Sequence, residues 1–195
     1  MMRKGQSEII GNVLIVLFGV IILAAISTVA YNLYTNQLKD EIENNLKQIG
    51  VEISDNIMRL YERGKSSKYL PGSNESVRLA EIDLKLPSQV SGRNYEIILI
   101  EANPIWIQIS NVTVGGSTPP SVITVPGAKV ILKTTQDPQV TVEHEIPNID
   151  VPVQGKSSNG LNSTLVYYRY NSTGTTKDKI VFGDYEIIID IVSVS

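Results

Sequence analysis

Between Ile9 and Leu38 the chain carries no charged residue, a run of thirty positions. Wound as a helix at ~1.5 Å per residue, such a run is about 45 Å long, whereas the hydrocarbon core of a bilayer needs about 30 Å. A cleaved secretory signal has a shorter apolar region, about 7–15 residues, followed by a small-residue cleavage site. Ala24-Ala25-Ile26-Ser27 imitates such a site, so an ordinary signal peptide stays open. The length of the run favours a membrane-spanning helix.

Helical patterning continues past the uncharged run. Apolar residues fall at Leu38, Ile42, Leu46, Ile49, Ile53, Ile57 and Leu60, with spacings of 4, 4, 3, 4, 4 and 3. That is one apolar stripe on a helix whose other faces carry Lys39, Asp40, Glu41, Glu43, Lys47, Glu52, Asp55, Arg59 and Glu62. None of the nine prolines precedes Pro71, so nothing forces a break. Gly64 is the expected C-terminal stop, with Arg63 and Lys65 beside the negative end of the helix dipole. The spacing predicts one helix from about residue 8 to 63, with Gly50 as the place for a bend. Arg3 and Lys4 place the short N-terminal flank on the cytoplasmic side, so that about 130 residues face outward. Glu8 opens the apolar run. It reads either as an acid complementing the helix dipole or as a carboxylate that pairs with a positive amino terminus.

Composition narrows the chemistry. Residues 1–30 sum to +1, residues 31–64 to −2 and the remainder to −2, which gives the net charge of −3. No region has the basic footprint of nucleic-acid binding. The absence of cysteine excludes disulfides, thiolate zinc sites and cysteine catalysis, and His144 is the lone histidine.

The stretch Arg3-Lys4-Gly5-Gln6-Ser7-Glu8-Ile9-Ile10-Gly11, with the aliphatic run ending in Ala24-Ala25, resembles the N-terminal region of archaeal type IV pilins. The resemblance covers about residues 3–30. It implies a five-residue basic leader, removed by a prepilin peptidase between Gly5 and Gln6, with Lys4 just before the cut. It further implies hydrophobic helices that leave the bilayer and bundle with other pilin subunits into a filament core. Glu8 would become the third residue of the processed chain, two places earlier than the glutamate of bacterial pilins. Gly11, Gly19, Ala24, Ala25 and Ser27 would let neighbouring helices approach closely.

Beyond Ser66 the character changes to short runs rich in Val, Ile, Tyr and Thr, punctuated by Gly, Pro and Asn. Strands are predicted near 77–86, 95–101, 105–113, 121–125, 128–134, 139–145, 164–170, 179–182 and 185–194, and a long mobile loop from Pro147 to Ser163. Several short strands with turn signals predict an antiparallel β-sandwich of the immunoglobulin-like kind, so the fold class is α+β. The closing run from Tyr185 to Ser195 reads as a buried central strand, or as one that pairs with a neighbouring subunit. Tyr167, Tyr168 and Tyr170 are expected to divide between the core and its margin. Four Asn-x-Ser/Thr sequons, at Asn74, Asn111, Asn162 and Asn171, are candidate N-glycosylation sites on an outward domain.

Glu143-His144-Glu145 is the one cluster with metal or proton-transfer chemistry in its residue types. On a strand His144 points away from both glutamates, so the three do not converge. No Gly-x-Ser-x-Gly elbow, phosphate-binding glycine loop or His-Glu-x-x-His motif occurs. The expectation is a non-enzymatic protein without cofactor. Its predicted parts are a leader at 1–5, a membrane and filament-core helix at 6–64, a linker at 65–75 and an extracellular β-sandwich at 76–195. The alternatives are a single-pass anchored β-domain that binds an envelope partner, as stator-like accessory proteins of the archaeal swimming filament do, and a stalked secreted hydrolase or sugar-binding domain.

Overall fold

The computed structural model describes residues 4–109, 121–158, 163–172 and 174–183. One helix, α1, runs from Lys4 to Ser66 over 63 residues. It extends the expected span at both ends and passes through Gly50 and Gly64 without a break. The stripe is where the spacing puts it. Ile42, Leu46, Ile53, Ile57 and Leu60 are fully buried and Ile49 nearly so, each side chain contributing about 1.5–3 kcal/mol of gross burial. The chain divides into two compact units, Met1–Glu41 and Ile42–Ser195. The second stretch of α1 therefore belongs with the strands.

Those strands are β1 (Ser76–Leu84), β2 (Tyr95–Ile109), β3 (Ser121–Thr134), β4 (Thr141–Pro147), β5 (Val153–Ser158), β6 (Ser163–Ser172) and β7 (Thr175–Gly183). They form one sheet in the order β1-β6-β7-β5-β2-β3-β4. All pairings are antiparallel except β5 with β7. The class is α+β, a long N-terminal helix followed by a mostly antiparallel sheet. The described strands are hydrogen-bonded into one continuous seven-stranded sheet. The amphipathic stretch of α1 does the covering that a second sheet would do on one face. Against it lie Tyr95, Ile97 and Leu99 of β2, Ala128, Val130 and Leu132 of β3, and Leu165 and Tyr167 of β6, all buried.

Three local expectations change. Two strands were expected on either side of Asn103-Pro104, and two more around Pro126-Gly127. Each pair is one long strand, and the interruptions face each other: the register jumps between Ala102 and Ile105, opposite Gly127 and Val125. A proline lacks the ladder donor, so both are accommodated in a single irregularity instead of ending the sheet. Within the expected loop from Pro147 to Ser163 lies β5, which joins the two halves of the sheet. Its Gly155 has φ +151°, and a Cβ there would sit 1.8 Å from the Phe182 carbonyl oxygen, so only glycine permits that pairing. Finally, the expected stop at Gly64 and bend at Gly50 are close approaches. A Cβ on Gly64 would lie 2.4 Å from the Tyr167 ring, and one on Gly50 3.3 Å from Leu132 Cδ1. The predicted strand at 185–194 lies outside the described residues.

Candidate functional site

The stretch of α1 before Ile42 has the character of an interaction surface. Fifteen large apolar side chains between Val13 and Tyr34 are exposed around the whole circumference of the helix. By length and composition it is the one described helix able to cross a membrane. An apolar surface of this extent marks a contact with lipid or protein. Its hydroxyls are already satisfied: Ser27 donates to the Leu23 carbonyl at 2.8 Å, Thr28 to Ala24 at 2.9 Å and Thr35 to Tyr31 at 2.9 Å. Folding back on the helix's own carbonyls is how such groups enter hydrocarbon without an unpaired donor. From Ile9 to Tyr31 the rise is about 34 Å, close to one hydrocarbon thickness. Tyr31 and Tyr34 then precede the first charges at Lys39-Asp40-Glu41, the order in which aromatic and charged residues meet a membrane surface.

At the C-terminal end of α1 a polar lock joins helix and sheet. Arg169 on β6 donates from Nη1 to the Ser67 carbonyl at 2.7 Å and to that of Tyr69 at 3.1 Å, and from Nη2 to that of Gly64 at 3.4 Å. Its other donors grip Asp178 on β7, at 2.7 Å from Nε and 3.0 Å from Nη2. Tyr167 adds its hydroxyl to the same carboxylate at 2.7 Å. The hairpin register sets Arg169 directly across from Asp178. Burial alone would raise the Asp178 carboxyl, but the hydrogen bonds from Arg169 and Tyr167 outweigh it and hold the group below its ordinary value. The guanidinium thus ties the Gly64 carbonyl in the last helical turn, and those of Ser67 and Tyr69 just past it, to the sheet with charge-assisted hydrogen bonds.

Beside the lock, Asp150 accepts from Tyr61 and from Lys65, each at 2.5 Å. The Lys65 contact first, then Tyr61, lowers the Asp150 carboxyl. An open cleft of about 570 Å³ here is lined by Lys65, Leu70, Asp150, Tyr170, Lys177 and Asp178 among others. Asp150 and Asp178 in its lining are paired with Lys65 and Arg169.

Across β2 to β5 the sheet face away from the helix is charged. Glu96, only 8% exposed, pairs with Lys133 at 2.8 Å and also with Lys156. These two lysines, Lys133 foremost, hold its carboxyl below the ordinary value. Glu143 and Glu145 share Lys129 on that face, at 2.9 and 3.9 Å. His144 packs on the opposite face, where a Cβ on Gly50 would lie 3.4 Å from its own. The strand alternation therefore separates His144 from the two glutamates as expected. No group of three potential ligands that could hold a metal ion occurs among the described residues.

Lys4, Gly5, Gln6 and Glu8 all lie within the first turns of α1. Asn111 and Asn162 lie outside the described residues. Asn74 is exposed in a turn, with φ 57°. Asn171, half-buried at the end of β6, stands next to it: the Asn74 amide donates to the Asn171 carbonyl at 3.1 Å. Tyr167 is fully buried, Tyr168 nearly so and Tyr170 marginal, the division expected for that run. Sequence reasoning missed the Arg169–Asp178 lock and the Glu96 centre. Hairpin register around Gly174 was the one signal that could have found the first. No family model, curated protein or solved structure matches the chain.

Proposed function

We propose that the protein is a pilin-like structural subunit of an archaeal type IV pilus or related surface filament, serving adhesion or filament assembly and catalysing no reaction. One observation carries this reading. A single unbroken helix exposes apolar side chains on every side up to Tyr34 and then, from Ile42, buries one stripe under a sheet. On this reading the first stretch lies in the membrane before assembly and packs against other subunits afterwards, with the β-domain outside the cell. Gly11 and Gly19 have open space where a Cβ would be, which favours close helix approach. Prepilin peptidase would cut between Gly5 and Gln6, and Glu8 would neutralise the amino terminus so freed. The finer, immunoglobulin-like arrangement of the β-domain belongs to the same reading. Its support is the burial of Val166, Tyr168 and Val181, a cluster on the face of β6 and β7 that does not meet the helix.

The test is the intact mass and N-terminal residue of the protein isolated from its native membrane and from the sheared surface fraction. A start at Gln6, with recovery in the sheared fraction, is the expected result. A start at Met1 or Met2 would sink the processing step and leave a single-pass anchored domain that binds an envelope partner. A start near Ser27 would mean an ordinary signal peptide, and the filament reading would fall with it.

A further inference from the structure

The two neighbouring sequons are built for different tasks, and we infer that Asn74 carries an N-linked oligosaccharide while Asn171 is kept bare. Asn74-Glu75-Ser76 is an Asn-x-Ser triplet and Asn171-Ser172-Thr173 an Asn-x-Thr triplet. Their surroundings separate them. The Asn171 amide is spent on the fold: its Nδ2 donates to the Pro71 carbonyl at 3.4 Å, and its Oδ1 accepts from the Gly174 amide at 3.1 Å. A sugar on Nδ2 would displace the first contact and force the half-buried side chain out of the turn that the second one closes. Asn74 is exposed, and its side chain makes no hydrogen bond among the described residues. Its backbone is fixed on both sides instead. Its own amide donates to Asn171, and the Glu75 amide donates to Gly72 at 3.1 Å. The left-handed φ of 57° at Asn74 is a conformation that asparagine tolerates better than most residues. The fold therefore holds this side chain out in solvent on a rigid turn.

The two sites are neighbours: the Asn74 amide donates to the Asn171 carbonyl and the Asn171 amide to the Glu75 carbonyl at 3.0 Å. The transfer itself is a substitution at the sugar. Asn74 Nδ2 bonds to the anomeric carbon of an oligosaccharide held on a polyprenyl phosphate, the bond from that carbon to the phosphate oxygen breaks, the lipid phosphate departs, and the amide loses one proton. The inference rests on the outward placement of the β-domain proposed above.

Trypsin resolves the pair, because Tyr69–Arg78 and Tyr170–Lys177 are separate peptides with one sequon each. Glycopeptide mass spectrometry of the full chain from its native membrane or surface fraction should find sugar on Tyr69–Arg78 and none on Tyr170–Lys177. A bare Tyr69–Arg78, or sugar on Tyr170–Lys177, would overturn the assignment. Ser76→Ala removes the sequon while keeping Asn74 and its turn, and should lower the intact mass by the whole glycan; an unchanged glycan mass would also overturn it. The N-terminal peptide of the same digest separates this inference from the filament reading. A Gln6 start with bare Asn74 sinks only the glycan, and sugar at Asn74 on a chain starting at Met1 sinks only the processing.

Discussion

Residues 11–41 and 42–66 share one helical backbone, and they differ in what each asks of its surroundings. Up to Tyr34 the first stretch exposes large apolar side chains on all faces; the second is charged on most faces and buries one stripe. Helical propensity hardly distinguishes them. What does is the angular distribution of apolar side chains: a full circle needs lipid or other helices, and a narrow stripe needs one sheet. The polar groups repeat the contrast. Ser27, Thr28 and Thr35 turn inward to their own helix, whereas Tyr61, Lys65 and the Gly64 carbonyl reach across to strands or to Asp150.

The comparison breaks most readily at the helix end. Arg169→Ala would leave the Asp178 carboxylate, 17% exposed, without its cation, and stripping one partner from such a pair costs about 3–5 kcal/mol. Urea unfolding of the detergent-solubilised full chain, followed by circular dichroism, would show it, with Arg169→Lys recovering only part of the loss. A wild-type midpoint would mean that packing alone holds the helix end. Matched truncations come next. Leu46→Ala should cost about 2–5 kcal/mol, while Leu17→Ala, 52% exposed, should stay within about 0.5 kcal/mol in the same unfolding. Equal losses would erase the distinction between the two stretches.

Two glycines sharpen it within the second stretch. Gly64→Ala drives a methyl into the Tyr167 ring and should cost about 1–3 kcal/mol. Gly50→Ala meets Leu132 at 3.3 Å but gains about 1 kcal/mol of helix propensity, so its thermal midpoint should barely move. A larger loss at Gly50 would place the tighter seam there. The smallest effect is that of pH. Asp178 and Glu96 are held below their ordinary values of 3.8 and 4.5. Their contribution is whole above those values and drains as pH falls through the lowered folded values. The unfolding midpoint should be flat between about pH 5 and pH 8 and drop below that, with a shallower drop in Arg169→Ala.

The stripe was legible because a period of 3.6 residues survives in single-residue spacing; Ile42 to Leu60 are buried in the positions the pattern names. The sheet's middle was not. Val153-Gln154-Gly155-Lys156-Ser157-Ser158 has no apolar alternation, and its place is set by a glycine that lets the Phe182 carbonyl come close, together with the buried Ser157–Ser163 hydroxyl pair at 2.5 Å. Glycine is ambiguous from sequence for the same reason: Gly50 and Gly64 resemble a bend and a stop, yet each is a spot where a neighbour presses on the helix. The second-sheet expectation split β2 and β3 at their prolines, passed over β5, and could not see that α1 covers one face. Arg169 and Asp178 sit nine residues apart with no motif between them; only pairing across the hairpin brings them together.

The fork of Arg169 closes on Gly64 across 105 residues of chain, and this sets a clock on synthesis. Ribosomes add about 5–20 residues per second, so on the order of 5–20 s separate the birth of the helix end from that of the side chain that fastens it. Until β6 follows β2 and β3, the ledge from Ile42 to Leu60 lacks part of its cover. Anchorage shortens the later search by pinning one end, and the same delay gives a holding chaperone, or a neighbouring nascent copy, its turn to compete for the ledge.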